Sequence, residues 1–207
     1  RGSVLGALAI SSEADPLTNT VDGNLTWSRP ANPAKTNRLY RAGFPSPGVL
    51  DAAVTGARYV APPKRTVANP TAEPRVLGLT DLANRIEVLL TGAGAETALP
   101  LQTDTTASVA LTNLVTFNPD PLVNTRKMSL SFNAAKGTFT GKFNLVDNTP
   151  LLLPGLVPVK RTVTFQGLIV EGMGEGYFIL NQLPAVLGET PANTPQQGGR
   201  VVIQPAP

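Results

Sequence analysis

The chain has 207 residues, enough for one large β domain or two small ones; its 19 Gly and 20 Pro beside only 15% charged residues favour many turns and short extended segments over long helices. It has no His and no Cys, which removes the common zinc sites, thiol nucleophiles, haem ligation, Ser-His-Asp catalysis and any disulfide framework. The net charge is +3, but the basic pairs Lys64-Arg65, Arg126-Lys127 and Lys160-Arg161 lie far apart without interleaved aromatics, so no nucleic-acid groove is expected.

No run nears the roughly 20 apolar residues needed to span a bilayer, so a soluble protein without membrane insertion is expected. The chain begins at Arg1 with no charged and apolar leader, and it reads as a processed or excised piece.

In chain order, "GSVLGALAI" and "NLTWSRP" are the first strand candidates, followed by "RLYRAGF", the stretch from Val54 to Val60, and "RVLGL", all between Pro-rich joints. In "LTDLANRIEVLL", Leu79, Leu82, Ile86 and Leu89 fit a helical stripe that Thr80 would cap. Strand, turn, strand is preferred, because "IEVLLTG" carries β-branched residues and ends at Gly92. "TTASVALTNLVTF" reads as one further long strand.

In "KMSLSF", Met128, Leu130 and Phe132 alternate with polar residues, the period of a half-buried strand. "NAAKG" supplies a short connection, and "TFTGKFNL" returns with Phe139, Gly141, Phe143 and Leu145 on one face. "KRTVTFQGLIV" and "GYFIL" form the next antiparallel pair. The glycines between them, Gly172, Gly174 and Gly176, have the wrong spacing for a dinucleotide loop and no Lys-Ser/Thr for a phosphate loop, so they read as a hairpin tip. Phe139-Thr140-Gly141 and Phe165-Gln166-Gly167 repeat Phe-x-Gly, and glycine inside a strand marks a bend that an aromatic covers, hence a curved sheet. "GRVVIQ" reads as a closing strand.

The carboxylates of probable loops, Asp15, Asp22, Asp120, Glu171 and Glu175, read as solvated turn residues rather than a catalytic pair, the two glutamates as like charges bracketing the hairpin tip. Glu13, Asp15, Asn19 and Asp22 offer oxygen ligands on one loop, but the Asp-x-Asp-x-Asp-Gly calcium pattern is absent and a plain surface loop is the simpler reading. Trp27, Tyr40, Phe44 and Tyr59 would make a sugar platform if exposed, and core aromatics if not. "NLT" at Asn24 fits a glycosylation sequon.

The order "RGSVLGALAI", "GNLTWSRP", "YRAGF", "ARYVAPPK", "RVLGL", "KMSLSFNAAKGTFTGKF" and "RTVTFQGLIVEGMGEGYFIL" resembles a β-rich module of very large exported proteins of planctomycete and verrucomicrobial bacteria, over most of the chain. The resemblance implies an extracellular or cell-surface β module without known catalytic residues. It also implies that such modules continue upstream of the segment matching "RGSVLG".

The expected fold is therefore all-β: a single curved antiparallel β-barrel or rolled β-sandwich with long Pro/Gly-rich loops, one domain over 1–207 with 1–100 and 101–207 as candidate sub-halves. The expected function is a non-enzymatic building block of a surface or extracellular assembly, a multimer or filament subunit joined by strand addition, with copies of itself or neighbouring modules as partners and no cofactor. Val4, Leu5, Leu8 and Ile10, with Val201, Val202 and Ile203, are the candidate strand-exchange residues. The alternative is a carbohydrate-binding module on Trp27, Tyr40 and Tyr59.

Overall fold

The computed structural model describes residues 2–11, 14, 18–32, 38–44, 48–92, 106–124, 126–148, 158–183, 190 and 192–207. Over these the chain is all-β, and it divides into two compact units: unit 1 is Arg1–Arg58 with Asn181–Gln197, and unit 2 is Tyr59–Leu180 with Gly198–Pro207. Residue 100, where the sequence reading divides the chain, lies outside the described residues.

Unit 1 holds a three-stranded antiparallel sheet of β1 (Ser3–Ile10), β2 (Thr20–Ser28) and β3 (Val49–Ala57), in that spatial order. Unit 2 is built on an eight-stranded antiparallel sheet, nearly closed into a barrel. Its strands are β4 (Arg85–Gly92), β5 (Thr106–Val109), β6 (Val115–Phe117), β7 (Ser129–Asn133), β8 (Thr138–Asn148), β9 (Pro158–Val170), β10 (Met173–Asn181) and β11 (Gln196–Pro205). The order β6-β5-β4-β11-β10-β9-β8-β7 puts the last strand of the chain at the sheet's centre.

Alternation fills the inside of unit 2. Ile86, Val88 and Leu90 of β4, Phe139, Phe143 and Leu145 of β8, Val163 and Phe165 of β9, and Val201 and Ile203 of β11 are all buried, while the residues that alternate with them point outward. Each such burial is worth about 1.5–3 kcal/mol.

The two Phe-x-Gly repeats sit opposite each other: Phe139 pairs with Gly167 and Gly141 with Phe165 across β8 and β9. Each ring lies over the partner glycine, so a Cβ at Gly141 would stand 2.2 Å from Cζ of Phe165, and one at Gly167 2.4 Å from Cζ of Phe139. Gly174 and Gly176 border the Phe139 ring as well, at 3.0 Å and 2.8 Å. This corrects the glycine cluster as a hairpin tip: only Glu171 (φ 49°) and Gly172 (φ 79°) form the turn, a positive-φ pair that suits a two-residue hairpin, and the other two glycines belong to β10. Glu175, expected at that tip against Glu171, lies in β10 and makes a bidentate pair with Arg200 at 2.6–3.1 Å.

Four other readings change. "RVLGL" is a 3₁₀ turn, Val76–Gly78, with Leu77 at φ 64° and not a strand. "RLYRAGF" is a turn with one isolated bridge from Leu39 to Gln196. "TTASVALTNLVTF" breaks into β5 and β6, because Asn113 takes φ 62° and its side-chain amide is held by the turn at 74–76, donating to Pro74 O and accepting from Val76 N. In "LTDLANRIEVLL" only the second half is a strand; the residues before Arg85 form a turn in which Thr80 accepts from Ala83 N.

Candidate functional site

A sheet ordinarily buries one face against another layer, but among the described residues unit 1 has no fully buried hydrophobic side chain. In β2, Val21, Gly23, Leu25 and Trp27 share one face, and Asp22, Asn24, Thr26 and Ser28 the other. The pairing register carries this division across the sheet. Val4, Gly6, Leu8 and Ile10 stand opposite Trp27, Leu25, Gly23 and Val21, and these stand opposite Leu50, Ala52, Val54 and Gly56. One face is thus apolar on all three strands. The other carries the polar row of β2, where Thr26 donates to Asp51 Oδ1 at 2.6 Å.

That apolar face is left incomplete. Every residue of β1 is exposed, with Val4 at 56%, Leu8 at 49% and Ile10 at 72%, and Leu50 on β3 is 48% exposed. Every buried hydrophobic residue among the described residues belongs to unit 2. A three-stranded sheet needs a covered apolar face to be stable in water.

The edge is open as well as the face. Among the described strands β1 ends the order of its sheet, and its one partner there is β2, which it pairs over its whole length from Ser3 to Ile10. It carries no charge, no Pro and no bulge, the usual devices that protect an edge. Leu25 lies over Gly6 and Leu8 over Gly23, within 2.8 Å and 2.9 Å of where a Cβ would stand, so side chains of each strand fill the gaps left by the glycines of the other.

The loop after β2 is tied down. Arg29 donates to Leu39 O, Arg38 to Thr194 O at 3.0 Å and Arg41 to Asn193 O at 3.2 Å, while Tyr40 N bonds Gln196 O. Gly43 at φ 78° has backbone of residues 29–31 packed against it, leaving no room for a side chain. These clamps bring Tyr40 and Phe44 onto Trp27, edge to face, at centroid distances of 6.2 Å and 4.9 Å.

The candidate residues therefore part company. Val4, Leu5, Leu8 and Ile10 lie on the open edge strand. Val201, Val202 and Ile203 do not: β11 runs between β4 and β10, and Val201 and Ile203 are fully buried, so nothing is free to exchange there. Trp27 and Tyr40 meet in unit 1, where their rings pack against each other. Tyr59 belongs to unit 2; its hydroxyl donates to Ala134 O at 2.6 Å, its ring covers Gly137, and burial raises its pKa. Glu13 and Asp15 lie outside the described residues, and Asp22 sits on the polar face of β2. Sequence reading missed Val21, Leu25, Leu50 and Val54, although strict alternation in "TVDGNLTWS" marks the first two.

The other concentration of charge is in unit 2. Arg75, 5% exposed, donates to Val109 O at 2.9 Å, to both oxygens of Glu73 at 2.8–2.9 Å and to Asp81 at 2.8 Å. The hydrogen bond from Arg75 is the main cause that holds the Asp81 carboxyl below its ordinary pKa. Each of the three guanidinium nitrogens donates to a protein acceptor, so the cluster braces the turn of residues 73–81 against Val109. No helix is long and apolar enough to cross a membrane, and no group of metal-ligating side chains occurs among the described residues. Comparison with protein-family models, curated proteins and solved structures finds no match.

Proposed function

We propose that this chain is a non-enzymatic structural module of an exported surface or extracellular assembly, joined to its neighbour by addition of a strand to the open edge of β1. One observation carries the reading: an uncharged edge strand, every residue of which is exposed, on a sheet whose apolar face stays partly in contact with water. The occupant is a strand from another copy or a neighbouring module. The order of motifs that resembles modules of very large exported bacterial proteins supports the same setting. Such a partner satisfies the outward amides and carbonyls of β1 and extends the sheet; the side chains it brings cover Leu8 and Ile10.

The test is sedimentation velocity over a wide concentration range on the full chain and on the double variant Leu8→Lys, Ile10→Lys. Concentration-dependent association of the parent, lost in the variant with its melting temperature unchanged, is the expected result. A parent that stays monomeric throughout, or a variant that associates equally, rejects strand addition between copies.

A further inference from the structure

A second surface, in unit 2, has a different chemistry. The outward faces of β7 to β10 form a groove of about 570 Å³ lined by Ser129, Ser131, Thr140, Lys142, Thr164, Gln166, Tyr177 and Ile179 and by the backbone beneath them. The register sets these side chains in two rows that cross the strands. Ser131 pairs with Thr140, Thr140 with Gln166, and Gln166 with Tyr177. Two residues further along, Ser129 pairs with Lys142 and Lys142 with Thr164. With strands about 4.8 Å apart, the first row spans about 14 Å, one polar group per strand.

We propose that this groove binds a linear acidic polysaccharide, a chain of uronic acid residues lying across the strands. The strand spacing is close to the length of one pyranose ring, so successive sugars meet successive side chains. Tyr177 is 52% exposed, and Gln166 Nε2 donates to its hydroxyl at 2.8 Å, which fixes the ring as a stacking face. That bond leaves the tyrosine O–H as donor and the glutamine carbonyl as acceptor for sugar hydroxyls. Ser131, Thr140 and Thr164 add hydroxyls of both kinds.

Charge selects the class of sugar. Lys142 is the one charged residue among the described residues lining the groove, and none of those lining residues is a carboxylate. A single ammonium suits one carboxylate per binding stretch, and it is too little for nucleic acid, which needs several phosphate contacts. A peptide strand has no entry, because β8, β9 and β10 are each flanked on both sides by neighbouring strands.

Affinity electrophoresis of the full chain tests this, in gels containing polygalacturonate or alginate, with dextran as the neutral control. Retardation by one or both polyanions and not by dextran is expected. Tyr177→Ala weakens it about tenfold, Lys142→Gln abolishes the preference for acidic over neutral polymer, and Lys136→Gln, on the exposed hairpin, changes nothing. Thermal melts of each variant confirm that the fold is retained. Absence of retardation, retardation by dextran alone, or equal effects of Lys142→Gln and Lys136→Gln overturns the proposal, the last because it marks unspecific attraction to a chain of net charge +3.

Discussion

Gly141→Ala tests the reciprocal pairing of Phe and Gly that bends the sheet of unit 2. A methyl at this position would stand 2.2 Å and 2.5 Å from Cζ and Cε2 of Phe165, and 2.5 Å from the carbonyl oxygen of Ser129. Carbon atoms in contact settle at about 3.5–4.0 Å, so either the ring or the strand must move by more than an ångström. Phe165 is 2% exposed and its ring centroid lies 6.3 Å from those of Phe139 and Phe143, so ring displacement spreads into the core. Overpacking of this kind costs about 1–3 kcal/mol, less the roughly 0.5–1 kcal/mol by which Ala is the better strand residue. Because a kcal/mol shifts the melting temperature of a domain this size by about 2–4 °C, a fall of several degrees is expected by calorimetry. Gly56→Ala is the control. Its nearest neighbour, Val21 Cβ, lies at 3.7 Å, and the same substitution there stabilises by about 0.4–1 kcal/mol. The double variant Gly141→Ala, Phe165→Leu should lose less than the sum of its parts. A Gly141→Ala that stabilises as Gly56→Ala does would refute the steric argument.

Arg75→Leu strips Glu73 and Asp81 of their partner and leaves Val109 O without its donor; since the two carboxylates keep some contact with water, a loss of about 2–4 kcal/mol is expected in chemical denaturation. Asp81 has a depressed pKa in the folded state, so its contribution is present above the unfolded value, near 3.9, and disappears as pH falls through the folded one; melting temperatures followed from pH 5 to 2 should show that step, and Asp81→Asn should flatten it. Tyr59→Phe removes the hydrogen bond to Ala134 O and should cost about 0.5–1.5 kcal/mol in urea unfolding, with the ring still covering Gly137.

Sequence alone was most legible where alternation is strict and the register local. The strands from Ser129 to Asn181 follow from period-two patterning, and the closing strand follows from "GRVVIQ". What escaped is long-range. Nothing local in "RVVIQ" says that it pairs with β4, more than a hundred residues earlier, and so closes the middle of a sheet rather than an edge. Nor does Phe-x-Gly reveal that its two copies face each other; only the antiparallel register, which sets each ring over the other's glycine, turns a mark of curvature into a packing unit. Single side chains account for the misread segments: Asn113 ends a strand by bonding the backbone of a distant turn, and Leu77 in a left-handed conformation is not foreseeable from an apolar run.

The division of burial between the units says where function is to be sought. Unit 2 has its own core, its braced arginine and a sheet that all but closes on itself, so its exposed features are free to be surface chemistry. The described residues of unit 1 show clamps: three arginines on backbone carbonyls, a short bridge from Leu39 to Gln196, and an aromatic cluster of half-buried rings. Clamps fix geometry, but they do not remove Leu8 and Ile10 from water, and hydrophobic area left exposed on an uncharged edge costs stability or solubility unless a partner covers it. The clamped residues and the exposed strand thus belong to one unit, in which backbone carbonyls hold Arg29, Arg38 and Arg41 in place while the apolar side chains of β1 stay in contact with water.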